Sequence, residues 1–172
     1  MKKIMFSDKY CLTQAVLDGT KTMTRRLLKD GTPLGNWEET VKRLPYKVGE
    51  VVAIAQSYYT IGKTQYDKFG NGVPGNSNKM FTRAELMPHH IKITDVKVER
   101  LQSISDEDIL KEGVWQYPNL PMFYISKSTG YAPDIAFPFA REAFWYLIDK
   151  ISGKGTWESN PWVVAYEFNL ID

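Results

Sequence analysis

The chemistry-bearing residues crowd into one segment, Gly19-Thr20-Lys21-Thr22-Met23-Thr24-Arg25-Arg26. A threonine hydroxyl is a poor nucleophile until a base takes its proton. A lysine can be that base when burial and neighbouring cations depress its pKa. Arg25 and Arg26 are close enough in sequence to act as such neighbours. The same residues also describe a solvated basic turn, the ordinary fate of a short cationic cluster. Other reactive combinations are missing from the sequence. His89 and His90 stand alone and adjacent, so on a strand they point to opposite faces and cannot share a metal without distortion. The single Cys11 excludes an internal disulfide and a thiolate-rich zinc site. There is no G-x-S-x-G elbow, H-E-x-x-H helix or phosphate loop, and no metal or cofactor is expected.

The elements that must position this segment follow from its flanks. A helix over about 9–18 is predicted, with Ser7 or Asp8 as N-cap, Leu12, Ala15 and Val16 on one face, and Gly19 as the stop. Residues 21–28 are β-prone and end basic, while 29–47 read as irregular, with turn residues at Gly31, Pro33, Gly35 and Pro45. For Lys21 and Thr24 to aim at one site, the turn must persist past Lys21, since residues i and i+3 on a straight strand face opposite ways. Val51 to Ala55 reads as a short buried strand after a Gly49 turn. About 57–90 reads as an inserted polar loop, long, mobile and glycine-rich from Gly62 to Lys79. Ile91 to Leu101 is a strand whose apolar parity switches midway, which predicts a bulge near Asp95. Ser105 and Asp108 form a capping box for a short helix ending at Gly113. A second amphipathic helix covers about Arg141 to Ile151, and a closing strand alternates through Trp162, Val164, Tyr166, Phe168 and Leu170. Strands with scattered helices predict α+β with a curled or closed sheet in a single domain over 1–172.

Composition is ordinary for a globular chain: 172 residues, 43% hydrophobic and 24% charged, with a net charge of +2. The charge is uneven. Residues 1–50 carry ten Lys/Arg against six Asp/Glu, so any anion-binding surface is expected near the N-terminus. No apolar run approaches membrane-spanning length, and a cytoplasmic location without membrane partners is expected. Five Trp, ten Tyr and eight Phe supply stacking surfaces. Tyr58 beside the expected barrel mouth and Asn160 between Trp157 and Trp162 are candidates to contact a base, and Gln56 offers an amide edge. Core packing remains the alternative for each.

Gly19, Lys21, Thr24 and Arg26 fit a G-x-K-x-x-T-x-R pattern. Val48-Gly49-Glu50-Val51, the Ile91–Ile104 stretch and Pro161–Phe168 follow in order. Together they resemble the ASCH family, whose fold is a PUA-like β-barrel. Gly153-Lys154-Gly155, Trp157, Asn160 and Pro161-Trp162-Val163 look most like its larger branch, often found on phage and prophage genomes. The resemblance implies a protein acting on RNA or a modified nucleoside. In a small bacterial branch that hydrolyses N4-acetylcytidine, the site is a lysine, a threonine and a glutamate. These match Lys21 as base, Thr24 as nucleophile and, at the end of the short helix, Glu112 as acid. Arg25, Arg26, Gln56, Tyr58 and Asn160 are the expected substrate or RNA contacts. The alternatives are a non-catalytic RNA- or nucleotide-binding module and a ribonuclease using the same basic cleft. The chain departs from the larger branch where an Arg-Glu pair is common, reading Ala55-Gln56.

Overall fold

A computed structural model describes residues 1–116, 118–125 and 135–172. Its frame is a five-stranded sheet in the order β1-β3-β4-β8-β2. The strands are β1 (Lys3–Ile4), β2 (Met23–Leu27), β3 (Val51–Ile54), β4 (His90–Arg100) and β8 (Trp162–Leu170). Only β1 runs parallel to its neighbour. The α+β class holds, but the sheet is not a closed barrel. Among the described residues β1 and β2 remain its two edges, without a ladder between them.

The central pair, β4 and β8, shows why the apolar parity of β4 changes. Its register shifts between Ile93 and Asp95, so Ile91 and Ile93 before the bulge, and Val96 after it, reach the core. On β8, Val164, Tyr166 and Phe168 are buried as the alternation predicts, but Val163 and Ala165 are buried too. Trp162 is exposed and stacks on Arg100 instead. The middle of the strand is therefore buried on both faces.

Two helices matter for the site. In α3 (Asp106–Lys111), Ser105 Oγ accepts a hydrogen bond from the Asp108 amide at 3.1 Å, so Ser105 caps the helix as expected, while the Asp108 carboxylate, expected to complete the box, accepts from Arg25 and Lys97 instead. In α4 (Ala140–Ser152), Phe144, Leu147 and Ile148 are buried, whereas Ile151, expected on that stripe, lies exposed near the helix end. Helix α1 is shorter than the sequence suggests, Leu12–Leu17, because Cys11 takes a left-handed conformation and the amide of Leu12 bonds back to the Ser7 carbonyl. Asp8 does not cap it. Its carboxylate instead receives Thr13 Oγ1 and Lys79 Nζ.

Two other expectations change, and one small sheet was not foreseen. Residues 29–47 contain a helix, α2 (Trp37–Arg43), capped by Asn36 Oδ1 accepting from the amides of Glu38 and Glu39. A three-stranded sheet is built from β5 (Trp115–Gln116), β6 (Phe123–Tyr124) and β7 (Ala136–Phe137). The segment expected as a polar loop is a chain of short 3-10 turns with its own apolar cluster of Ala53, Tyr58, Ala84 and Met87. Lys3 Nζ fastens it to β1 by donating to the carbonyls of Lys79, Met80 and Thr82. No helix among the described residues is long and apolar enough to cross a membrane.

Candidate active site

The turn after α1 delivers Lys21. Gly19 adopts a positive φ, and the amides of Thr20 and Lys21 both bond to the Ala15 carbonyl at 2.9 Å. The turn ends there, earlier than expected, because the Thr22 amide bonds to the Lys111 carbonyl and β2 begins one residue later. That bond docks the edge strand against the end of α3. Lys21 and Glu112, 91 residues apart, are thereby brought to a Nζ–Oε2 distance of 2.9 Å.

The cleft runs along the open edge of β2 and measures about 210 Å³. Thr24, Arg25 and Arg26 form one wall, Met5 to Ser7 a second, and the buried face of α4 a third, with Lys21 and Glu112 among them. Residues of both strand parities line it because β2 has no partner on that side. A larger and mostly apolar hollow of about 430 Å³ lies beyond Gly113, lined by Tyr10, Val114, Trp115 and Ile125 among others, but it contains none of Lys21, Thr24 and Glu112.

Lys21 is 2% exposed. Its three N–H bonds go to the Met23 carbonyl at 2.6 Å, the Glu112 carbonyl at 2.6 Å and the Glu112 carboxylate. Burial pulls its pKa below the usual lysine value against the opposing pull of Glu112, and Arg26 and Arg25 lower it further. Thr24 is buried in the same cleft and makes no hydrogen bond to Lys21. Lys21 Nζ therefore spends its three donors on Met23 and Glu112 and is paired to Glu112 rather than to Thr24.

The structure separates the two arginines. Arg25 turns inward and is surrounded by carboxylates. Its Nε and Nη2 donate to Glu99 Oε1 at 3.0 and 2.6 Å, Nη2 to Asp108 Oδ2 at 2.8 Å, and Nη1 to Glu112 Oε1 at 3.1 Å. Burial works against its charge, but Glu112, Glu99 and Asp108 hold its pKa above the usual value. Arg25 is thus not a free phosphate contact. Arg26 faces the other way, with Nη2 donating to the Met5 carbonyl and its guanidinium 5.8 Å from the centre of the Phe6 ring. Its buried Nε has no hydrogen-bond partner among the described residues.

The remaining expected contacts lie elsewhere. Tyr58 is 2% exposed, its hydroxyl accepts from the Arg83 amide at 2.9 Å, and it packs in the small second cluster. Asn160 takes a left-handed conformation at the end of α5 (Thr156–Ser159), and its side-chain oxygen accepts from the Gln102 amide at 2.8 Å. Gln56 is buried beside Met87 and borders a separate hollow with Asp8, Thr13 and Ser57. None of the three lines the cleft. The sequence reasoning missed Glu99, Asp108 and Lys97. The midway parity switch in β4 and the acidic capping box were their only signals. His90 Nδ1 sits 2.7 Å from Asp172 Oδ2, and no cluster among the described residues has the make-up of a metal site.

No family model matches the chain, and no curated protein matches it in sequence. Among solved structures it is similar to protein EF3133 from Enterococcus faecalis V583, described under the family model DUF984. That likeness has 15% identity and a TM-score of 0.40, and it covers 94% of this chain and 67% of that one. It is similar also to an ASCH domain from Lactobacillus crispatus JV V101, at 12% identity and a TM-score of 0.39, covering 95% of this chain and 72% of that one.

Proposed function

We propose that the cleft is the active site of an amidohydrolase acting on an acylated nucleoside, with N4-acetylcytidine as the reference substrate, free or within RNA. The observation that carries this reading is the meeting of Lys21, Thr24 and Glu112 in one buried cleft, with Lys21 and Glu112 hydrogen-bonded. The cleft volume lies below the roughly 300–1,000 Å³ of drug-sized sites, which suits an acylated base rather than a folded nucleic acid.

The resting ion pair sets the order of proton movements. Lys21 first passes a proton to Glu112 along their 2.9 Å hydrogen bond, a transfer that the burial of Lys21 favours. The neutral amine then takes the proton of Thr24, directly or through one water, as the threonine oxygen attacks the acyl carbonyl. The carbon–nitrogen bond breaks as Glu112 protonates the departing exocyclic amine. Lys21 and Glu112 are again ammonium and carboxylate, and Thr24 carries the acyl group as an ester. Water hydrolyses that ester and releases acetate.

The test is incubation of the purified protein with N4-acetylcytidine, following cytidine by chromatography. Thr24→Ala is expected to abolish turnover with substrate binding retained, and Lys21→Ala to abolish turnover. Binding without turnover by the folded wild-type protein would support a non-catalytic nucleotide-binding module. Turnover that survives Thr24→Ala would refute the assigned nucleophile.

A further inference from the structure

We propose that Arg25 is a positioning residue for the Lys21–Glu112 pair, holding one oxygen of Glu112 so that the other faces Lys21. This rests on the amidohydrolase reading of the cleft. The side chains alternate in charge from the cleft outward. Lys21 meets Glu112 Oε2, Arg25 meets Glu112 Oε1, Asp108 and Glu99 hold the far side of Arg25, and Lys97 closes the series on Asp108 at 2.7 Å. Lys111 Nζ also lies 4.0 Å from the other Asp108 oxygen. The Arg25 side chain is wholly buried and Lys97 is 42% exposed.

Geometry makes Arg25 the organiser rather than one charge among several. A guanidinium carries donors in a fixed planar fork, so fixing two edges fixes the third. Glu99 on β4 fixes Nε and Nη2, and Asp108 on α3 fixes Nη2 from a second element. Nη1 is left in a set direction, towards Glu112. Glu112 lies just past the end of α3, where no further helical turn supports it, so its orientation depends on such contacts. Arg25 also acts on Lys21 through its charge. The charged groups facing Lys21 are Glu112 at the end of α3 and Arg25 and Arg26 on β2, with Glu99, Asp108 and Lys97 behind Arg25. The two arginines disfavour the Lys21 ammonium and Glu112 favours it.

The test compares Arg25→Gln and Arg25→Lys with the wild-type protein by two readings: kcat and KM on N4-acetylcytidine, and the titration of Lys21 by ¹⁵N NMR of its ammonium. In Arg25→Gln, kcat is expected to fall tenfold or more, as an order-of-magnitude figure, with KM changing by less than about threefold. With the Arg25 charge gone, the Lys21 midpoint is expected to move upward. Arg25→Lys keeps the charge, so the midpoint moves less. An ammonium lacks the planar fork that holds Glu99, Asp108 and Glu112 in fixed directions, so kcat stays reduced. An unmoved Lys21 midpoint in folded Arg25→Gln, or a raised KM with unchanged kcat, would overturn the proposal. If Arg25→Gln does not fold, a wild-type kcat in Arg25→Lys overturns it instead. A wild-type protein without turnover would fail the amidohydrolase reading, while the Lys21 titration still decides whether Arg25 governs the pair.

Discussion

Gly113 lies where α3 hands Glu112 to the cleft, and replacing it with alanine tests that packing. Its φ is +102°, a conformation that side-chain-bearing residues rarely adopt. A Cβ there would stand 2.9 Å from Leu12 Cδ2 and 3.4 Å from Lys21 Cδ. Leu12 is itself buried in the core and has little room to retreat. Backbone strain of about 1–2 kcal/mol adds to an overpacking cost of about 1–3 kcal/mol, so Gly113→Ala should destabilise by about 2–5 kcal/mol. With a urea m-value of about 2 kcal/mol/M, the unfolding midpoint should drop by about 1–2.5 M. Gly31→Ala is the matched control, because Gly31 also has a positive φ, +76°, but nothing within 4 Å of the added carbon. It should show the strain alone, a drop of about 0.5–1 M. Equal losses in the two variants would refute the close packing of Gly113 against Leu12 and Lys21.

The other predictions concern buried ionisable groups and the segment between β3 and β4. Burial alone would raise the Asp108 carboxyl, but Lys97 and Arg25 hold it below the usual value. Its stabilisation is therefore present above about pH 4 and lost as pH falls through the lowered value. Asp108→Asn should cost about 1.5–3 kcal/mol at pH 7 and flatten the acid limb of the urea-midpoint profile, and an unchanged limb would contradict this. Burial pushes the Tyr166 phenol up to about 12, so the folded state should lose stability between pH 10 and that value. Urea midpoints at pH 9 and 11 should therefore diverge more in the wild-type protein than in Tyr166→Phe. In the segment between β3 and β4, a Cβ on Gly75 would stand 2.6 Å from a Tyr58 ring carbon, so Gly75→Ala should cost about 1–3 kcal/mol by urea unfolding. A neutral result would show that Tyr58 does not pack as described.

Much of this fold is legible in the sequence where one periodicity governs one element. The bulge in β4 follows from a parity switch, and the start of α3 from a Ser–x–x–Asp box. Helix α2 was also legible, since Asn36 precedes acidic Glu38 and Glu39, with Lys42 and Arg43 in the last turn. The turn residues around it outweighed that signal. Parallel β1 and strands β5 to β7 are two residues each, too short for any period to register. The site divides in the same way. Lys21, Thr24 and Glu112 were named from a motif and a resemblance, and they line one cleft. Arg25 was expected to face substrate or RNA, and nothing local says that a basic residue on β2 will meet carboxylates 74, 83 and 87 positions away. Tyr58 and Asn160 were expected at a base from their places in the sequence, but their side-chain oxygens accept from the backbone amides of Arg83 and Gln102, and Gln56 is buried outside the cleft.

The open edge of β2 explains why the chemistry gathers there. An edge strand has one side without a ladder, which in a soluble sheet must be blocked, covered or used. Here α4 and the segment after β1 cover it without bonding to its full length, and the Arg26 bond to the Met5 carbonyl ties the two sheet edges together. Another strand paired to this edge would bury the Thr24 backbone in a ladder and fill the cleft. Leaving the edge wholly exposed would hydrate Lys21 and remove the pull that burial exerts on its proton. A partly covered edge keeps Lys21 dry and Thr24 in the same cleft.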